Sequence, residues 1–207
     1  LQIGNFPSFI PDGSGGAVFA WYGTSPLQVY TQHVMPGGSE AFPHNGVSGS
    51  TNTAQVRTDP AVSYDAASGT TYLFWTEQNT GQSQHGLSGQ ALDSAGVRQW
   101  SNQGVTLIPV GAHEIRQAKT EVSGSGAFVF WSAIPSFGTD TLHGAHLDST
   151  GSVDIAPFDV ATVPAVKSRI DVAKASDGQI LMAWSDKAID TGDILVQNIA
   201  PDGSLGP

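Results

Sequence analysis

A short apolar phrase ending in tryptophan occurs four times in this chain. It reads Ala17-Val18-Phe19-Ala20-Trp21, Tyr72-Leu73-Phe74-Trp75, Phe128-Val129-Phe130-Trp131 and Ile180-Leu181-Met182-Ala183-Trp184. The tryptophans stand 54, 56 and 53 residues apart (75−21, 131−75, 184−131), so four of the five serve one repeated position. A regular period of about 50 residues is the mark of a repeat architecture, in which each unit buries its apolar face only against its neighbours.

Within each repeat the pattern is that of strands. Polar and apolar residues alternate on either side of the tryptophan phrase, and Gly, Asp, Asn and Ser punctuate the alternation. The turns are explicit at Pro11-Asp12-Gly13, Ser149-Thr150-Gly151, Ser176-Asp177-Gly178 and Pro201-Asp202-Gly203. Glycine supplies positive φ there and aspartate tolerates it. Four strands per repeat follow. First strands are expected near 6–11, 56–64, 115–123 and 168–175, and the tryptophan phrase forms the second strand of each. Third strands are expected near 28–35, 86–92, 141–147 and 193–199, and outer strands near 41–48, 97–108 and 152–162. The fourth repeat stops at Pro207 before its outer strand, while Leu1-Gln2-Ile3-Gly4-Asn5 precede the first repeat. Residues 1–5 are therefore expected to supply the missing strand and close a ring, which removes two exposed sheet edges.

The expected fold is all-β: a β-propeller of four blades, each a four-stranded antiparallel sheet, closed by the N-terminal strand. It is read as one domain over 1–207, with blades near 6–50, 51–110, 111–163 and 164–207 plus 1–5. An open piece of a larger propeller satisfies the same pattern. A β-sandwich does not explain the period.

Composition narrows the task. Lys and Arg total 8 against 18 Asp and Glu, a net charge of −10. A general nucleic-acid binder needs a basic footprint, so nucleic acid is excluded as partner. Docking on an anionic membrane surface is disfavoured for the same reason, and no apolar run approaches the ~20 residues of a spanning helix. The chain has no cysteine, so neither disulfides nor thiol chemistry operates. Its Gly-rich, Lys-poor, Cys-free composition leads to the expectation of a secreted or cell-surface protein.

The chain has four arginines: Arg57, Arg98, Arg116 and Arg169. Aligned as Arg57-Thr58-Asp59, Arg116-Gln117-Ala118 and Arg169-Ile170-Asp171, three of them begin a first strand, and Gly4 holds that place in the first repeat. First strands line a propeller's central channel, so Arg57, Arg116 and Arg169 are candidates to grip a carboxylate, phosphate or sulfate at its mouth. The competing reading pairs each arginine with a nearby carboxylate such as Asp59 or Asp171, since residues i and i+2 share a strand face. Trp100 has no counterpart in the other repeats, and it is a candidate stacking face for a sugar ring. The four repeated tryptophans are assigned to the core.

A second set of side chains is acidic: Glu77, Asp140, Asp186, Asp190 and Asp193. Glycosidases need two carboxylates across the scissile bond, and Glu77, Asp140 and Asp186 are the acid/base candidates. All five are expected on solvated loops, with no buried member. Asp186, Asp190 and Asp193 are weak candidates for calcium, whose ligands are carboxylate and backbone oxygens. No spacing of an EF-hand is present, no other cofactor is indicated, and no zinc, phosphate-loop or nucleophile-elbow motif occurs.

The phrase Asp193-Ile194-Leu195-Val196-Gln197 followed by Pro201-Asp202-Gly203, after a tryptophan strand, resembles repeats of secreted bacterial β-propeller proteins. The blade count is that of hemopexin-type propellers, without their disulfide. The pair Arg169-Ile170 is similar to the arginine strand of sialidases, but Asp171 stands where a proline is usual and the Asp boxes of those enzymes are missing. The function expected from these readings is a non-catalytic, lectin-like binding module for a carbohydrate or small anionic ligand at the central mouth. Two alternatives remain open: a polysaccharide-acting glycoside hydrolase or lyase, and a protein-interaction scaffold of a larger surface protein.

Overall fold

The structure, a computed structural model, describes residues 8–111, 113–190 and 192–207. Among these every regular element is a strand, and no helix is long and apolar enough to cross a membrane. The chain divides into two compact units, residues 1–112 and 113–207.

The first unit holds two four-stranded sheets. One comprises β1 (Ser8–Pro11), β2 (Ala17–Thr24), β3 (Leu27–Val34) and β4 (Val47–Ser48). The other comprises β5 (Val56–Asp65), β6 (Thr70–Gln78), β7 (His85–Leu92) and β8 (Val105–Gly111). The second unit holds β9 (Glu114–Ser123), β10 (Gly126–Ile134), β11 (Asp140–Asp148) and β12 (Val153–Ala165), then β13 (Lys167–Lys174), β14 (Ile180–Asp186) and β15 (Asp193–Ile199). Every sheet runs in chain order with antiparallel neighbours, which short Gly and Asp turns permit and parallel strands would not. The last sheet has three strands among the described residues, extended by a bridge between Ile199 and Leu205. The closing strand expected from residues 1–5 lies outside the described residues.

The tryptophan strands β6 and β10, central in their sheets, are buried along most of their length, whereas Trp21 in β2 is only half-buried, short of the core place expected for it. In β6 all residues after Thr70 are buried, and in β10 the first seven are. The core of the first unit joins Val18, Ala20 and Val29 of one sheet to Val62, Leu73, Trp75 and Leu92 of the next. That of the second unit joins Phe128, Phe130 and Leu142 to Ile180, Met182, Trp184 and Ile199. Trp75 fits because glycines flank it. A Cβ on Gly49 of the preceding sheet would stand 2.8 Å from its ring, and one on Gly104 of its own sheet 3.0 Å.

Two features recur without any repeated phrase to announce them. Opposite each of Trp75, Trp131 and Trp184 the first strand carries two residues where the ladder has room for one, a β-bulge: Asp59-Pro60, Gln117-Ala118 and Arg169-Ile170. The leading residue is left-handed each time, with φ of 49°, 55° and 53°. A glutamine on the third strand also stands in for missing outer-strand pairing. Gln32 Oε1 accepts the N–H of Phe42 at 3.0 Å and its Nε2 donates to Pro43 at 3.0 Å. Gln90 does the same to Trp100 N–H and Ser101 C=O, at 3.0 and 2.6 Å, and Gln197 donates to Gly206 C=O at 2.8 Å.

Candidate functional site

The ladder register changes the reading of the arginines. In the ladder Arg57 pairs with Glu77, two residues after its tryptophan, and Arg116 pairs with Ser132, one residue after. Arg169 sits inside the bulge itself, opposite Trp184. The three aligned in sequence therefore occupy three different positions of the repeat, and their side chains have three different environments. Arg57 is fully buried. Its Nη2 donates to Glu77 Oε1 at 2.5 Å, and its Nη1 donates to Gln28 Oε1 and Asn52 C=O, both at 2.6 Å. Arg116 is half-exposed and clasps Glu114 with both Nε and Nη2. Arg169 is exposed. Arg98 serves the first sheet, donating through Nε and Nη2 to Ser48 C=O at 3.0 and 2.6 Å.

The true counterpart of Arg57 in the fourth repeat is Lys167, which pairs in register with Asp186, two residues after Trp184. Lys167 is 1% exposed, and its Nζ lies 3.0 Å from Asp186 Oδ2. Trp184 Nε1 donates to the same oxygen at 2.9 Å, and Ala188 N–H to Oδ1 at 2.8 Å. Burial is the largest influence on this carboxyl and pushes its pKa up, but the hydrogen bonds from Trp184, Lys167 and Ala188 together outweigh it and hold the group below the usual carboxylate range. Asp140 accepts the backbone N–H of Lys167 at 3.2 Å.

The acids expected on solvated loops are thus corrected in three cases. Glu77, Asp140 and Asp186 are all buried at the ends of strands, and each is bound to a neighbouring donor. Glu77 also accepts from Ser88 Oγ at 2.5 Å. Asp190 is exposed and caps its own turn through the Gly192 N–H, and Asp193 begins β15 opposite Asp186. Among the described residues no three His, Cys, Asp or Glu are grouped to hold a metal ion. Trp100 is corrected as well. It is 8% exposed and packs on Tyr72 and Phe74, at centroid distances of 6.1 and 6.0 Å, so its ring belongs to the face of the second sheet rather than to an open platform.

Two places remain open to a ligand, one in each unit. In the second unit the first strands β9 and β13 lie against each other. Lys119 and Glu121 share one face of β9, and Lys119 Nζ reaches Asp171 Oδ1 on β13 at 3.5 Å. Burial pushes the Glu121 carboxyl above its ordinary range, against the Val122 N–H and the charge of Lys174. In the first unit, one face of β2 and β3 opens as a cleft of about 720 Å³ whose lining includes Phe19, Trp21, Tyr30, Gln32, Glu40 and Asn45. Trp21 and Tyr30 are cross-strand partners and stack at 6.0 Å with 20° between their planes. The cleft was not foreseen, although its signal was present. Strict alternation places Phe19 and Trp21 on one face, and a hairpin with a short turn puts Tyr30 beside them.

No protein-family model and no curated protein sequence matches this chain. Solved structures do. An endo-arabinase from Bacteroides thetaiotaomicron aligns over 97% of this chain and 77% of its own, at 13% identity and a TM-score of 0.59. The GH93 α-L-arabinofuranosidase of Fusarium graminearum, solved with arabinobiose, aligns over 94% of this chain at 12% identity and a TM-score of 0.64. An α-L-arabinanase of Penicillium chrysogenum, also with arabinobiose, aligns over 94% at 13% identity and 0.62. The chain spans 61% of the length of each of these last two. At such identities the likeness establishes the fold, and the all-β propeller of four sheets expected from the repeat is the fold found. The resemblance to secreted bacterial repeat proteins holds at the level of the propeller only. The expected non-catalytic binding module is overturned: the solved structures it resembles include arabinanases and α-L-arabinofuranosidases, which favour the glycoside-hydrolase alternative.

Proposed function

We propose that this chain is a propeller glycoside hydrolase acting on an arabinose-containing polysaccharide. The observation that carries the reading is the alignment of nearly the whole chain with several arabinanases and arabinofuranosidases, two of them holding arabinobiose. The polymer is too large to enter a cell, so we place the protein outside it, in keeping with its composition. The glycan is then a substrate rather than a ligand merely held.

Glycoside hydrolysis requires a carboxylic acid that is still protonated at the working pH and a second carboxylate that stays ionised. Glu121 is assigned the first role, because burial raises its pKa. Asp171, exposed and ion-paired to Lys119 on the adjoining first strand, is assigned the second role. Glu77 and Asp186 suit neither role, since each is consumed by a buried cation. In this scheme Glu121 gives its proton to the glycosidic oxygen as the bond from the anomeric carbon to it breaks, and Asp171 takes a proton from the water whose oxygen bonds to that carbon.

The test is product release from branched arabinan, linear arabinan and an aryl α-L-arabinofuranoside. Release from at least one is expected, with Glu121→Gln lowering kcat by about 10²-fold or more. Absence of release from all three overturns the reading. Full activity in Glu121→Gln overturns the assignment of the proton donor alone.

A further inference from the structure

Arg169 leads a bulge at a left-handed place that glycine ordinarily fills. Its φ is 53°, where an L side chain strains the backbone. The two preceding repeats put Gln117 and Asp59 at the same place, with φ of 55° and 49°. None of the three is glycine, so the strain is retained together with a polar side chain. Backbone strain of this sort gathers where a side chain is aimed at a ligand.

The bulge also parts Arg169 from its nearest acid. Regular alternation would set Arg169 and Asp171 on one face. The ladder instead passes from Ser168 to Asp171 and leaves Arg169 and Ile170 together opposite Trp184. Ile170 turns inward and is 3% exposed, while Asp171 is taken by Lys119 of β9 at 3.5 Å. Arg169 stays exposed, and among the described residues no carboxylate pairs with it. Arg57 and Arg116 are each bound to a glutamate, and Arg98 to the Ser48 carbonyl. In a chain with 18 Asp and Glu against 8 Lys and Arg, an arginine left free is the exception.

Its surroundings are fixed inside the second unit. Gln117 Nε2 donates to the Lys167 carbonyl at 3.4 Å, and Lys119 Nζ reaches Asp171. These two contacts cross from β9 to β13 on either side of Arg169, so Arg169 lies level with the stretch from Gln117 to Lys119. Glu121 stands about three residues further along β9 than that level, roughly 10 Å at 3.3 Å per residue.

We infer that Arg169 is a specificity-determining residue that grips the carboxylate of a uronic acid, with Gln117 and Lys119 bordering the subsite. A guanidinium meets a carboxylate through two parallel N–H···O bonds, a fit that a neutral hydroxyl does not offer. The spacing along the strands sets the gripped sugar beside the one whose bond Glu121 is assigned to protonate. The net charge of −10 opposes an anion only at long range, where salt screens it beyond about 8 Å. At contact range Asp171 is already matched by Lys119. That the uronate belongs to an arabinose-containing polymer rests on the proposed hydrolase reading; the grip itself does not.

Digalacturonate and its dimethyl ester are the probes, because the ester keeps the sugars and removes the charge. By calorimetry, wild type is expected to bind the acid about tenfold or more tighter than the ester. Arg169→Gln is expected to bind both alike. Arg169→Lys keeps the charge without the planar fork and is expected to fall between. Arg169→Gly relieves the left-handed strain, so it is expected to raise Tm while losing the preference for the acid. On an arabinan that carries uronate, Arg169→Gln is expected to raise KM about tenfold with kcat unchanged, and to leave KM for neutral linear arabinan as it was. Equal binding of acid and ester by wild type overturns the inference, as does a preference that survives in Arg169→Gln. A lowered Tm in Arg169→Gly makes the side chain structural and overturns it too. An Arg169-dependent preference for the acid, without cleavage of any arabinan, sinks the hydrolase reading and leaves the subsite standing. Cleavage of arabinan without that preference sinks the subsite alone.

Discussion

Lys167 Nζ lies 3.0 Å from Asp186 Oδ2, and Arg57 Nη2 lies 2.5 Å from Glu77 Oε1 two repeats earlier, at the same register relative to the repeated tryptophan. Both cations are fully buried side chains. Removing one partner strands a charge where water cannot reach it, which costs about 3–5 kcal/mol. Lys167→Met and Arg57→Met are therefore expected to lower the unfolding free energy by that amount in urea titrations. The double variants Lys167→Met/Asp186→Leu and Arg57→Met/Glu77→Leu should recover most of the loss. Arg116→Ala and Arg169→Ala, at exposed side chains, should stay within about 0.5 kcal/mol of wild type. Equal losses in all three arginine variants would contradict the register described here.

The repeat itself was legible because a large aromatic ring at one position, spaced by 54, 56 and 53 residues, leaves few architectures open. First strands were placed to within about two residues, since alternation and turn chemistry are local. The arginines were misaligned for a physical reason. The turns joining first and second strands differ in length, with four residues between Asp65 and Thr70, two between Ser123 and Gly126 and five between Lys174 and Ile180, so equal spacing from the tryptophan is not equal register. The bulge at Asp59, Gln117 and Arg169 carries no marker such as glycine and was not read either. Lys167 was passed over in consequence, and Glu77 and Asp186 were taken for solvated acids because burial at a strand end depends on the partner cation. Trp100 looked unique, yet it fills space beside Tyr72 and Phe74. Its lack of counterparts reflected local packing.

Gln90 substitutes for strand pairing at the outer edge of the second sheet. Gln90→Leu keeps the volume but leaves the Trp100 N–H and Ser101 C=O without their partners. An expected loss of about 1–3 kcal/mol follows, and hydrogen exchange at the Trp100 amide should quicken. Unchanged exchange there would show that the outer segment is held by other means.

Gly49 is a packing glycine with an ordinary backbone. A methyl group at this position meets the Trp75 ring at 2.8 Å and Val29 Cγ2 at 3.0 Å. Gly49→Ala is expected to cost about 1–3 kcal/mol through overpacking, measurable as a lowered Tm. Gly37→Ala, where a Cβ meets nothing within 4 Å, is the control and should leave Tm nearly unchanged.

Glu121 makes the fold less stable as pH rises. Its folded-state pKa is raised, chiefly by burial, so the folded chain holds this proton more tightly than the unfolded chain. The associated stability is fully present below the ordinary glutamate range and is lost as pH rises through the raised value. Unfolding free energy followed from pH 4 to 8 should show this decline in wild type and not in Glu121→Gln. The proposed hydrolytic activity should fall over the same interval, as the proton it donates is lost.

The bulges opposite the tryptophans divide each of the three longer first strands into two short ladders. The leading segment, Val56–Thr58 in β5 and Lys167–Ser168 in β13, is thereby uncoupled from the remainder of its strand. In both places the buried cation stands in that leading segment and reaches across to the second strand. The charge pair thus acts as a rivet at the point where the backbone seam is interrupted, and β9, with Ile115 at that register, fastens the same joint with an aliphatic side chain instead.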